Sequence, residues 1–496
     1  MKTAIIVFAI AIPIIIFSFF TSIGFYQIII FPLACFFLLI VYAFFRGNKN
    51  QTRIKHLLLA SSLIYITLSL VWPIYIAFHP PGFPPVNVHR FANLLVLSSF
   101  VFAMFSSDWF RKELANSFLN AKLFWIFFGT LVFFRIASVF VSKNPFSSMY
   151  TLMSDLFVHW FFIFAGLVIG SSRQNLLLFS KIIACCFFIN FLLILPEFAL
   201  GKNLFTPFVK DPNDPSVGFI MKEKLRGGLY RVQTVFTHPL VFAEFSSATF
   251  CFAVFVLSHI KNSFRRNAAI FFTIICASAM GILSGSRTGY VAIAIAISLA
   301  IFSPLVNSLF RGKMNLKIAA LWSFLIIVLT ISISALGFLI YDYVLGKHTD
   351  TGSNMARIVM MEQTFVKLFE SPISPIFGYG PGLGAELVGV YVGGVSSAFT
   401  IDSLFISYTI ESGLFAVLSF ITLLIIGAVK AFRISLFGEE KDWFLWYAIG
   451  LSIISFLLFK SILSLTENNF LLFVLLGISV SGAAQSGSMQ KIIRRV

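Results

Sequence analysis

The sequence predicts an all-α polytopic membrane protein with a large extracytoplasmic loop that contains short helices. Of its 496 residues, 59% are hydrophobic and only 11% charged, and the mean hydropathy is +0.95. A soluble domain carries about 25% charged residues, so this chain cannot coat itself with water-facing surface. Apolar runs of about twenty residues, enough to cross the hydrocarbon core as a helix, recur along its length. The formal charge of +17 would suggest nucleic acid in a soluble protein; here it is explained by basic residues that set topology, and nucleic acid is excluded as a partner.

About fourteen spans follow from this ruler. Residues 3–20 read as a retained helix, because no small-residue cleavage site precedes Thr21-Ser22 and a second run, 24–45, follows at once. Next come 57–78, 91–106, 123–141, 149–170 and 176–195, separated by the loops 46–56, 79–90, 108–122 and 171–175. A long polar loop, 201–238, leads to 240–260, 268–283, 290–310 and 318–340. A second long loop, 342–401, precedes 405–429, 443–459 and 470–484 and the basic tail. The chain thus divides into N-terminal spans (1–200), a first long loop (201–238), central spans (239–341), a large loop that carries the chemistry (342–401) and C-terminal spans with the tail (402–496). The five cysteines all lie in apolar runs and show no metal-ligand spacing.

Lysine and arginine collect in alternate loops: 46–55, 111–122, 173, 261–266, 311–317, 430–441 and the tail. The opposite turns hold few, chiefly Arg90, Lys143, Arg287 and Lys460. This asymmetry places both termini in the cytoplasm and both long loops outside.

Arg135, Asp155 and His159 sit well inside apolar runs, where a charge costs about 2.5–3.5 kcal/mol on insertion scales. Counted from the outer ends of their spans, Arg135 and Asp155 reach similar depth at about 1.5 Å per residue, which predicts a pair. Asp155 and His159, four apart, share a helical face. A structural ion pair and a role in a reaction both suit them.

On the outer side, three arginines stand in motif-like settings: Arg231 in Tyr230-Arg231-Val232-Gln233-Thr234-Val235-Phe236-Thr237-His238-Pro239, Arg287 in Ser286-Arg287-Thr288-Gly289, and Arg357 near the start of the large loop. Arginine's planar fork suits phosphate oxygens at any working pH. One such residue alone is equally an interfacial side chain reaching for lipid phosphates; three together point to an anionic substrate at the membrane surface. A helix is predicted over 353–370, with Ile358, Met361, Phe365, Leu368 and Phe369 at helical spacing and Arg357 and Glu362 at the stripe's edges. Such a helix lies on the membrane, covers a cavity or simply packs on the bundle. A glycine-punctuated turn, Gly378-Tyr379-Gly380-Pro381-Gly382-Leu383-Gly384, follows, then Thr400-Ile401-Asp402-Ser403 at the next span.

This order of motifs resembles the bacterial O-antigen ligase and polysaccharide polymerase family. The likeness rests on Arg231 to Pro239, on Ser284-Gly285-Ser286-Arg287-Thr288-Gly289, on Arg357 followed by Pro375-Ile376-Phe377-Gly378-Tyr379-Gly380, and on Asp402-Ser403-Leu404-Phe405 with Glu411-Ser412-Gly413-Leu414. It spans residues 226–414; the first spans match in hydropathy alone. The resemblance implies a GT-C-like helical bundle in the bacterial inner membrane. It implies glycosyl transfer from an undecaprenyl-diphosphate-linked glycan to a lipid-linked acceptor, with no metal or nucleotide cofactor. A chain-length regulator and a flippase are the partners it brings. Where ligases read His-Asn, this chain has Asp402-Ser403, which favours a polymerase.

In that chemistry Arg231, Arg287 and Arg357 would hold the diphosphate. Asp402, or else His238, would take the acceptor's proton, although Asp402 also stands where a helix N-cap would. Glu362, Tyr379 and Gly380 are further candidates for substrate contact. A lipid A–core ligase uses the same donor. A flippase would need a water-filled path lined by ionisable groups and paired similar halves; no internal repeat is evident.

Overall fold

The computed structural model describes residues 51–78, 86–208, 224–226, 229–286, 289–290, 292–300, 351–391, 399–437 and 442–481. Among these, nine helices are long and apolar enough to cross a membrane. They coincide with nine of the predicted spans. The predicted spans 3–20, 24–45 and 318–340 lie outside the described residues; of 290–310, residues 290 and 292–300 are described and helical. Among the described residues, sheet structure is limited to three two-residue antiparallel pairings in the loops.

The chain forms two compact units, 1–114 and 115–496. In the first, α1 (Gln51–Val71) packs on α2 (Val88–Ser106). Pro73 follows α1 closely and cannot continue a helix, so this span ends earlier than its apolar run suggests. Asn87 caps α2, its side chain accepting from the Arg90 N–H at 2.8 Å. The predicted loop over 108–122 is corrected: 108–120 form α3 (Asp108–Asn120). Arg111 and Lys112 are exposed there while Phe110 and Ser117 are buried, a surface helix whose polar face masked its apolar one.

In the second unit, α4 (Lys122–Phe140), α5 (Pro145–Gly170) and α6 (Arg173–Leu200) precede α7 (Pro239–Ser258) and α8 (Ser263–Leu283). The α5 helix contains a π-helical stretch, Asp155–Trp160, an irregularity that recurs at functional sites. The large loop contributes α9 (Thr351–Leu368) and the short α10 (Ser374–Phe377) and α11 (Gly384–Val388). Then come α12 (Leu404–Phe437), kinked at Gly413, α13 (Trp443–Lys460) and the shorter α14 (Asn469–Ser479), which ends before the 484 predicted from hydropathy.

Apolar on every face, α7 packs against α6, α8 and α13. The C-terminal half of α5 and α14 approach through Gly166 and Gly477: a methyl group on either would overlap the other helix's backbone. Lipid supplies no hydrophobic drive between helices, so close contact through small residues holds such pairs.

Segments predicted to share a side of the membrane meet one another. Arg173 pairs with Asp442 at 2.8 Å and Lys430 reaches the Asn120 carbonyl at 3.4 Å, joining predicted cytoplasmic segments. The predicted outer segments meet one another instead: residues 231 with 284, 237 with 467, and 401 with 464.

Candidate active site

The first motif is shaped by a buried carboxylate that the sequence did not flag. Glu197, near the end of α6, is fully buried and accepts from the Tyr230 hydroxyl at 3.0 Å and from the Gln233 and Thr234 N–H groups at 2.9 Å each. Thr234 is thereby held at φ 52°, a left-handed backbone that a β-branched residue rarely adopts. Its hydroxyl donates to Asn190 Oδ1 at 2.8 Å. The strain turns the chain so that Arg231 and His238 flank a compact loop, a placement typical of functional sites.

Arg231 donates from Nε to the Ser284 carbonyl at 2.9 Å, and the Val232 N–H donates to the Leu283 carbonyl at 2.9 Å. The first arginine motif therefore lies against the Ser284-Gly285-Ser286 turn that leads directly to Arg287. Arg287 itself lies outside the described residues, and Arg357 is described only as backbone within α9.

Lys224 joins this corner, donating to Gln233 Oε1 at 3.2 Å and to the Thr237 carbonyl at 2.9 Å. Burial, reinforced by the Arg231 charge, lowers its pKa to about 8. His238 caps α7, Nδ1 accepting from the Leu240 N–H at 3.1 Å. Burial and the charges of Lys224 and Arg231 lower its pKa to about 3, so the ring is neutral. With Nδ1 accepting, the ring proton sits on Nε2. From the facing loop, Glu467 accepts from the Thr237 hydroxyl at 2.6 Å and N–H at 3.2 Å; burial raises its pKa to about 7.

A second group lies beside this corner. The predicted pair is present: Arg135 donates to Asp155 Oδ2 from Nη2 at 2.7 Å and from Nε at 3.0 Å. Its Nη1 also reaches Glu411 Oε2 at 2.6 Å. Glu411 Oε1 accepts from the Ser407 hydroxyl at 2.9 Å and the Gly384 N–H at 3.4 Å. The guanidinium lies 4.6 Å from the centre of the Tyr408 ring. Arg135, Asp155, Ser407, Tyr408 and Glu411, with His159, line a cavity of about 160 Å³.

The glycine turn serves packing. Tyr379 and Gly380 donate their N–H groups to the Ile410 and Glu411 carbonyls at 3.0 and 2.9 Å, at the α12 kink. Gly378 (φ 69°) and Gly413 (φ 80°) face backbone so closely that a methyl group on either would overlap it. Gly380 sits against Ser142 and Ser148, and the Tyr379 hydroxyl donates to the Lys367 carbonyl at 2.7 Å, tying down the end of α9. Glu362 is exposed on α9. On that helix Met360, Thr364 and Leu368 face inward, leaving Ile358, Met361, Phe365 and Phe369 exposed.

Asp402 is half-buried. It is not the helix cap: Ser403 Oγ accepts from the Ile406 N–H at 3.4 Å in that role, which corrects the N-cap reading of Asp402. The preceding Ile401 carbonyl accepts from the Ser464 hydroxyl. Lys460, expected in an outer turn, is fully buried. It pairs with Glu244 at 2.8 Å and donates to the Leu465 carbonyl at 2.8 Å. Glu244, a single acid inside the apolar run 240–260, was the available signal for that pair.

Fold and site together define a multi-pass membrane protein with a cationic corner on one face of the bundle, beside a buried ionic cavity. Residues 247–421 match the family model described as O-antigen ligase, Wzy_C. The match is confined to this segment, which is what the chain shares with the O-antigen ligase family. That match takes in the 284–286 turn, α9, Asp402 and Glu411, while the Arg231 motif lies just before it. No curated protein matches the chain.

Proposed function

We propose that this chain is a polymerase of the periplasmic face of the bacterial inner membrane. It joins a glycan carried on undecaprenyl diphosphate to a hydroxyl of a second lipid-linked repeat unit. The observation that carries the reading is the Arg231 side chain fixed on the Ser284 carbonyl, with Lys224 and His238 beside it. In the reaction the acceptor oxygen bonds the anomeric carbon as the bond from that carbon to phosphate breaks. The leaving diphosphate gains negative charge, which fixed cations stabilise. Arg231, with Arg287 and Arg357, takes that role. His238, its Nδ1 already accepting a backbone hydrogen bond, offers Nε2–H as a donor, and Asp402 is the group that takes the acceptor's proton.

Polymerase is favoured over lipid A–core ligase by Asp402-Ser403 at the position of the ligases' His-Asn pair. Adding the predicted spans at 3–20, 24–45, 290–310 and 318–340 completes a GT-C-like bundle of about fourteen helices, with both termini in the cytoplasm. A gel of surface polysaccharide from a deletion strain tests the assignment. A single repeat unit on core is the expected result. Undecaprenyl-linked polymer left off the core means ligase, and repeat units trapped inside the cell mean flippase.

A further inference from the structure

We propose that the cavity around Arg135 is a subsite for one uncharged sugar ring of the lipid-linked glycan, separate from the diphosphate corner. The inference rests on the transferase reading above and adds residues and ligand chemistry to it.

Charge separates the two places. The cavity holds two carboxylates, Asp155 and Glu411, against the single guanidinium of Arg135. Arg135 is spent on both, so no cation remains there for a phosphate. A buried excess of negative charge repels a diphosphate. The corner sets Arg231 and Lys224 against Glu467, whose carboxyl burial raises to about 7, and so offers a diphosphate the less negative place.

The lining also matches sugar hydroxyls. Asp155 meets Arg135 through Oδ2 alone. His159, 7% exposed, lines the cavity and its Nδ1 makes no hydrogen bond. A polar atom left so in a membrane bundle costs free energy unless something occupies the space beside it. The hydroxyls of Ser407, Ser464 and Thr466 add donors and acceptors around the same space. About 160 Å³ holds several waters or one sugar ring.

The 460–468 turn joins the two places. Ser464 and Thr466 line the cavity, and the next residue, Glu467, binds Thr237 of the cationic loop. Ser464 also donates to the carbonyl of Ile401, the residue before Asp402. A ring in the cavity thus lies next to both the residue that takes the proton and the loop that takes the leaving group.

The test uses the full-length protein in lipid nanodiscs with two probes. One is the repeat-unit oligosaccharide released from its lipid, and the other is undecaprenyl diphosphate; saturation-transfer NMR and competition report binding. His159→Gln and Ser407→Ala are expected to weaken oligosaccharide binding roughly tenfold, the scale of one lost buried hydrogen bond, and to leave undecaprenyl diphosphate binding unchanged. Arg231→Ala is expected to do the reverse. Oligosaccharide that fails to bind the wild type, or binds both cavity variants as tightly as wild type, overturns the subsite. If His159→Gln weakens both ligands, the variant is misfolded and Ser407→Ala decides. The deletion-strain gel reads the transferase assignment separately: polymer lost on deletion with sugar binding indifferent to both variants sinks the subsite alone, and repeat units trapped inside sink the transferase.

Discussion

Glu467 accepts both the hydroxyl and the N–H of Thr237, two residues 230 positions apart, and so locks the turn before α14 onto the loop that holds Arg231. Burial raises this carboxyl to about 7 against an ordinary 4.5. A raised folded-state pKa means that its contribution to stability is fully present below about 4.5 and is lost as pH rises through about 7. Melting temperature, followed in detergent from pH 4.5 to 7.5, should therefore decline relative to Glu467→Gln by a few degrees. Parallel curves for the two proteins would mean that the carboxyl does not titrate in this window.

The Thr234 backbone makes a second prediction. Its φ of 52° costs a non-glycine residue about 1–2 kcal/mol, so in Thr234→Gly the relief of that strain offsets the loss of the buried side chain and its bond to Asn190. Glu197→Ala removes the acceptor for three donors, two of them backbone N–H groups. It should cost about 3 kcal/mol or more and release the Arg231 loop. Chemical denaturation together with polymer yield checks the pair: Glu197→Ala loses both stability and polymer, whereas Thr234→Gly keeps its stability.

Much of the frame was legible because its rules are local. Apolar length located the nine long spans, and lone charges in apolar runs announced Arg135 and Asp155. Glu411 was visible in a motif, but nothing local says that its carboxylate shares Arg135; that takes the kink at Gly413 and contact across 276 positions. Lys460 read as an outer-turn residue because it ends an apolar run, while its partner Glu244 lies far away in sequence. The glycine turn was recognisable as a turn. Its docking on the α12 kink depends on backbone contact that spacing does not encode. The 460–468 turn, which ties both parts of the site together, has no motif at all.

Arg135 should be costly to remove. Its guanidinium is buried between two carboxylates, and breaking such a group leaves uncompensated charge at about 3–5 kcal/mol. Arg135→Leu should cut the amount of folded protein in membranes severely. The triple variant Arg135→Leu, Asp155→Leu, Glu411→Leu should recover part of the loss, because it removes the stranded carboxylates as well. Fluorescence size-exclusion of detergent extracts measures both. A triple variant that is worse by the full sum of the single losses would show that the ionic group stabilises the bundle in its own right.

Gly378 and Gly413 give a sharper structural prediction. Both have positive φ and both abut backbone of the facing segment, so alanine at either position meets strain of about 1–2 kcal/mol and an overlap that no side-chain rotation relieves. Limited proteolysis should cut between α9 and α12 in Gly378→Ala under conditions where the wild type is intact, with polymer yield falling alongside. Gly129, where a methyl group meets nothing, is the control: Gly129→Ala should match the wild type in both readouts.

Lys224 makes the pH dependence of donor binding predictable. Burial and the neighbouring Arg231 charge lower its pKa to about 8 from an ordinary 10.5, so the ammonium is present below that value and lost above it. A lipid diphosphate esterified at both ends has no proton of its own to lose near pH 8, and its affinity should fall as pH rises from 7 to 9. A fall of roughly tenfold is the scale of one lost charge-assisted contact. Lys224→Arg, always charged, should flatten the curve, and Lys224→Met should bind weakly at both ends of the range. The anion's affinity at each pH, read by competition against a fluorescent lipid diphosphate, separates these outcomes. An unchanged slope in Lys224→Arg would assign the titration to another group in the corner.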